Sequence, residues 1–186
     1  MTALSESPDW SRLRSIVGGA EFVPDAVARM VRAANAADAS LAYWELDNRV
    51  VVQGRLFEAA AWTARAVAVA ICRDTPSVFG LSRALDLLVE IAAGEADQSE
   101  IAEGNTGLGS QCRHELGQYL SCFHSFAASE DDRTLLAVMD LLDILEADRH
   151  ELRTTAEFIL SRGASAGVER RARELAEGER GESEDH

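Results

Sequence analysis

The chain contains no lysine: all eighteen of its cations are arginine, against 32 Asp and Glu, for a net charge of −14 over 186 residues. An acidic surface of that strength repels phosphate backbones and anionic bilayers, so nucleic acid and membranes are poor partners, and a basic protein is the electrostatically natural one. Three prolines and only short β-branched runs leave little to interrupt helices, and alanine and leucine dominate the apolar positions, which predicts an all-α protein. Cysteine is scarce as well. Cys72, Cys112 and Cys122 are an odd number in helix-like surroundings, read as small buried hydrophobes of a reducing compartment rather than a disulfide framework. Long apolar runs are missing: the longest, from Ala59 to Cys72, is broken by Thr63 and Arg65 and is too short for a bilayer. Met1 to Asp9 shows neither a basic region nor an apolar stretch, so no secretory signal is expected and a cytoplasmic location follows.

What is present is a succession of helix signals. Ser7-Pro8 and Gly18-Gly19 predict a short first helix carrying Trp10, Leu13, Ile16 and Val17. Pro24 opens a second, with Val27, Met30 and Val31 at helical spacing, and Asp38 caps a third that carries Leu41, Trp44 and Leu46 and stops near Asn48. These three, within residues 1–50, are expected to form an N-terminal helical cap. A helix apolar nearly all round is expected from Phe57 to Cys72, and another from Pro76 to Gly94. Glu95 to Gly109 is polar and glycine-rich and predicts a long exposed loop. Helices are then expected over Ser110–Ala127, Glu130–Glu146, Arg149–Arg162 and Gly167–Ala176, with residues 177–186 a disordered acidic tail.

A shift of 54 residues lays Ala84-Leu85-Asp86-Leu87-Leu88 over Val138-Met139-Asp140-Leu141-Leu142, and Thr75-Pro76 over Ser129-Glu130. Cap falls on cap and core stripe on core stripe. Residues 57–94 and 110–146 therefore read as two repeats of a helix pair, followed by C-terminal helices over 149–176, all within one domain of residues 1–176. The run from Tyr43 to Ala60, with Trp44-Glu45-Leu46 and then Gln53-Gly54-Arg55-Leu56-Phe57-Glu58-Ala59, resembles the linker and inner-helix entry of bacterial HEAT-like repeat proteins, whose pattern reads W-x-L, then Q-G, then an aromatic followed by E-A. The resemblance covers about Leu41 to Leu160. Valine stands at position 52, where relatives often carry histidine, so no role of that histidine transfers. The resemblance implies a HEAT-like α-α superhelix of stacked antiparallel helix pairs.

In such a stack the second helix of each pair lines the concave side. The polar positions there are Asp86, Glu90, Asp140 and Asp143, which predicts an acidic, partner-binding groove. A non-catalytic protein that binds a basic protein, as an immunity-like or scaffold protein does, is the leading expectation. The alternative is a helical-repeat enzyme, lyase or glycosylase-like, using a carboxylate such as Glu58 or Asp140.

Other motifs point to ordinary structure. Cys112-Arg113-His114 and Cys122-Phe123-His124 look like two halves of a metal site, yet residues two apart on a helix point about 200° apart, so no metal is expected. Ser129-Glu130-Asp131-Asp132 reads as a helix cap with acids in the first turn, where the helix dipole favours them. Gly104-Asn105-Thr106-Gly107-Leu108-Gly109 lacks the Lys-Ser/Thr ending of a phosphate loop, and no cofactor is expected. Trp10, Trp44 and Trp62 sit at apolar helix positions and are expected in the core.

Overall fold

The computed structural model describes residues 7–145 and 148–177, so the expected tail beyond 177 lies outside the described residues. These residues are mostly helical, with ten α-helices and a few two-residue strands. They divide into two compact units, one ending at Tyr119 and the other starting at Leu120. The boundary cuts through the expected Ser110–Ala127 helix, which is two helices, α6 (Leu108–Gly117) and α7 (Leu120–Ser125), the latter followed by a 3-10 turn over Phe126–Ala128. Gly117 at the break is the weakest helix former of that stretch.

The first unit opens differently from expectation. Asp9 accepts a hydrogen bond from the Ser11 amide (3.2 Å) and caps only a 3-10 turn, Trp10–Arg12. A hairpin replaces the rest of the predicted helix: β1 (Arg14–Ser15) pairs antiparallel with β2 (Gly18–Gly19). Gly18 at φ 108° supplies the left-handed conformation the turn requires, leaving Ile16 and Val17 exposed at its tip. Then α1 (Val23–Val31) has Pro24 in its first turn, as predicted. Helix α2 (Ala36–Val50) is capped by Asn35, whose side chain accepts from the Asp38 amide, so Asp38 lies inside the helix. The helix also runs past the predicted stop at Asn48.

Gln53 (φ 51°) and Gly54 (φ 74°) make a tight two-residue turn between β3 (Val51–Val52) and β4 (Arg55–Leu56), the left-handed geometry such hairpins need. Then come α3 (Ala60–Arg73) and α4 (Val78–Ala93), the latter capped by Ser77, which accepts from the Gly80 amide at 2.9 Å. Segment 95–109 is not a loose loop. It begins with β5 (Glu95–Ala96), paired parallel with β4, and continues into α5 (Gln98–Ala102), capped by Asp97. Its composition is polar, but Ala96 and Glu100 are buried. The Glu100 carboxylate takes hydrogen bonds from Arg14 (2.8 Å) and Asn105 (2.7 Å). One satisfied buried charge anchors what composition alone presents as loop.

Two joints orient the helices of this unit. The Ser77 amide donates to the Val31 carbonyl (3.0 Å), and Gly80 lies against the carbonyls of Met30 and Val31, so α4 starts where α1 ends. At the other end, the Glu95 amide donates to the Gly54 carbonyl (3.0 Å), beside the hairpin that follows α2. Helices α2 and α4 therefore lie side by side and run in the same direction. Helix α1 packs on α2 and α3, and α3 packs on α4 and α6. Met30, Leu46, Leu56, Ile71, Leu85 and Leu88 fill the space between them without exposure.

In the second unit α8 (Asp132–Leu145), α9 (Arg149–Ser161) and α10 (Ala166–Glu177) pack with α7 around Leu135, Met139, Ala156, Ile159 and Val168. The capping side chain of α8 is Asp131, which accepts from the Thr134 amide and hydroxyl (both 2.8 Å), rather than Ser129. Helix α4 begins at Val78 and α8 at Asp132, the 54-residue spacing of the sequence repeat, and Leu88 and Leu142 are both fully buried.

Candidate binding surface

The four predicted acids fall into two sets. In the second unit Asp140 and Asp143 face Arg171 of α10, which reaches Asp140 Oδ1 at 2.7 Å and Asp143 Oδ2 at 3.0 Å, while Arg149 adds a 2.8 Å contact to Asp143. Burial alone raises the Asp143 carboxyl, but the hydrogen bonds from Arg149 and Arg171 outweigh it and hold the group below its ordinary value. These two acids are engaged in joining α8 to the helices that follow. Their charge is largely answered within the unit.

In the first unit Asp86 and Glu90 lie on α4, one helical turn apart, and α2 brings Tyr43 and Asp47 to them. Arg83 lies 3.4 Å from Asp86 and its guanidinium is 5.5 Å from the centre of the Tyr43 ring. The Tyr43 hydroxyl donates to Asp47; burial, then the charges of Asp47, Glu90 and Asp86, push that phenol well above its ordinary value. Burial, then the Glu90 charge, also hold the Asp47 carboxyl above the ordinary value, with the Tyr43 hydrogen bond offsetting part of the rise. Because α2 and α4 run in the same direction, Asp47 and Glu90 both sit toward C-terminal ends, where the helix dipole is already negative. Acids there are set against the local field.

Beside these acids α2 exposes two large apolar side chains, Leu41 (68%) and Trp44 (52%), and Trp44 meets Tyr43 edge to face with ring centres 5.0 Å apart. Trp44 is thus a surface residue, and Trp10 and Trp62 are only half-buried, so the expectation of three core tryptophans fails. Asp47 and Tyr43 were not among the predicted site residues. The available signal was an acid in the last turns of a helix, masked because Asp47-Asn48 reads equally well as a helix stop.

The carboxylates named for an enzyme are also accounted for. Glu58 accepts from the Arg14 amide at 3.1 Å and pairs with its guanidinium at 3.2 Å, and Asp140 is held by Arg171. Among the described residues no three His, Cys, Asp or Glu side chains are placed to hold a metal ion. Cys112 is buried and free, as expected, whereas Cys72 and Cys122 are only half-buried and are not free thiols, which removes the thiol-based argument for a reducing compartment. No helix of the described residues is long and apolar enough to cross a membrane. Compared with protein-family models, curated proteins and solved structures, the chain matches none.

Proposed function

We propose that this chain is a non-catalytic binding protein, a HEAT-like stack of helix pairs that takes a basic segment of a partner protein on the acidic face shared by α2 and α4. The observation that carries the reading is the crowding of Asp47 against Glu90: the Asp47 carboxyl is raised by burial and by its neighbour's charge, an arrangement that disfavours the isolated fold. An arginine or lysine from a partner reverses the sign of that interaction. The adjoining Trp44 and Leu41 supply the exposed aromatic and aliphatic surface that typically anchors an interface. The like-directed packing of α2 and α4, each the second helix of a short-linked pair, supports the stacked-pair architecture. An immunity-like or scaffold role fits a strongly acidic protein of this kind, since complementary charge speeds association and selects the partner.

The acidic surface in this reading is Asp47, Asp86 and Glu90; Asp140 and Asp143 are left to their arginines. Affinity capture with the wild-type chain, followed by association rates of the captured protein at several salt concentrations, tests it. Asp47→Asn with Glu90→Gln is expected to slow association and flatten its salt dependence. Equal rates and equal salt slopes for the two proteins would reject the acidic face as the docking surface.

A further inference from the structure

Helix α3 carries Trp62, Arg65, Val69 and Arg73 at steps of three and four, which puts them along one side of the helix. With Pro8 and Trp10 of the N-terminal segment they line a cleft of about 240 Å³. Its chemistry is opposite to that of the chain as a whole. In a protein of net charge −14 the lining holds two arginines and no acid, together with two half-buried indoles.

The two arginines differ. Arg65 Nη1 lies 3.7 Å from the buried carboxylate of Glu115, so part of its charge is already answered. Arg73 is exposed and, among the described residues, has no carboxylate within ion-pair distance. It lies at the far end of the stripe from Trp62, on the last turn of α3. The volume is below the roughly 300–1,000 Å³ of sites that enclose drug-sized ligands, and suits one small ring system. Indole faces take flat rings by offset stacking or edge contact, and a free guanidinium takes a carboxylate by paired hydrogen bonds.

We infer that the Trp10–Trp62–Arg73 cleft binds a small aromatic carboxylate, its ring against the indoles and its acid on Arg73. This site carries none of the acidic face on α2 and α4, and its success or failure is independent of the protein-binding reading.

The test uses the full ¹⁵N-labelled chain and 2-naphthoate as probe, following the indole N–H signals of the three tryptophans, each assigned with a single Trp→Phe variant. Trp44 lies outside the cleft and serves as the internal reference for both binding and fold. The signals of Trp10 and Trp62 are expected to move together along one saturating curve while Trp44 stays in place. Arg73→Gln is expected to weaken binding about tenfold or more, the loss of one charge-assisted pair. 2-Naphthamide, with the same rings and no charge, is expected to bind the wild-type chain more weakly by a similar factor. The inference is overturned if all three signals move alike or none moves, if Arg73→Gln binds 2-naphthoate as the wild type does, or if the amide binds as tightly as the acid. The amide comparison needs no variant, so it decides the matter even where Arg73→Gln disturbs the fold.

Discussion

Arg14 and Glu100, 86 residues apart, form a two-point ion pair: the guanidinium meets one carboxylate oxygen at 2.8 Å and the other at 3.3 Å, with Glu100 only 2% exposed. Burial alone raises the Glu100 carboxyl, but the hydrogen bonds from Arg14 and Asn105 outweigh it and hold the group below its ordinary value. The folded chain therefore binds this proton less readily than the unfolded chain. The stabilisation is complete above the unfolded carboxyl's pKa of about 4.3 and is lost as pH falls through the lower folded value. Glu100→Gln is expected to cost roughly 1.5–3 kcal/mol at pH 7, the range for hydrogen bonds to charged groups. Urea titrations of both proteins check it: the gap between them should be full at pH 7 and should narrow steadily below pH 4.3. Amide exchange across 95–109 should show protection in the wild type that the variant loses.

Gly80 is fixed by contact rather than by conformation. A Cβ built there would meet the Met30 carbonyl oxygen at 2.5 Å and crowd that of Val31, both backbone atoms that cannot swing aside. Alanine is the better helix former by about 1 kcal/mol. Overpacking outweighs that gain, so Gly80→Ala is expected to destabilise by roughly 1–3 kcal/mol net. A rise in the urea midpoint instead would mean that α1 and α4 are free to separate at this joint. The residue 54 positions on is Thr134, buried and not glycine, so the repeated helices meet different neighbours at the same position.

Arg171 serves two carboxylates, Asp140 and Asp143. Arg171→Gln is expected to cost about 1–2 kcal/mol, less than a buried pair because Asp140 remains 46% exposed. High salt should shrink the difference between variant and wild type in denaturant titration, as screening weakens the pairs. A cost that does not change with salt would assign the loss to packing of the arginine stem.

The longer helices were legible where they carry local signals. Pro24 opens α1, the 54-residue repeat marks α4 and α8, and the leucine stripe through Leu85 and Leu88 names the buried face. What escaped was non-local. Nothing near Glu100 indicates that Arg14 will meet it, and without that pair the segment 95–109 has the composition of a loop. Two-residue strands such as β4 and β5 are too short to leave a periodic pattern. The repeat lays Asp86 over Asp140, but it gives no sign that Arg171, 31 and 28 residues downstream on another helix, will bond Asp140 and Asp143. Trp44 reads as core from its apolar position on a helix beside Leu41 and Leu46, while its neighbour Tyr43 is the one that faces inward.

Asp47 is expected to trade stability for binding. Its folded-state pKa is raised, so the folded chain takes up this proton more readily than the unfolded chain does. The ionised carboxyl therefore weakens the fold at neutral pH, and that penalty is full above the folded value and vanishes below the unfolded value of about 3.9. Asp47→Asn keeps an acceptor for the Tyr43 hydroxyl and removes the charge facing Glu90. The variant should unfold at higher urea concentration than the wild type at pH 7, and the two should converge below pH 4. The same substitution should slow association with the captured basic partner, most at low salt, where unscreened charge contributes most to the encounter rate. Gain of stability and loss of association from one side chain is the signature of a residue kept for a partner rather than for the fold. If Asp47→Asn instead loses stability at pH 7, the carboxylate is satisfied within the chain and no cation is needed there.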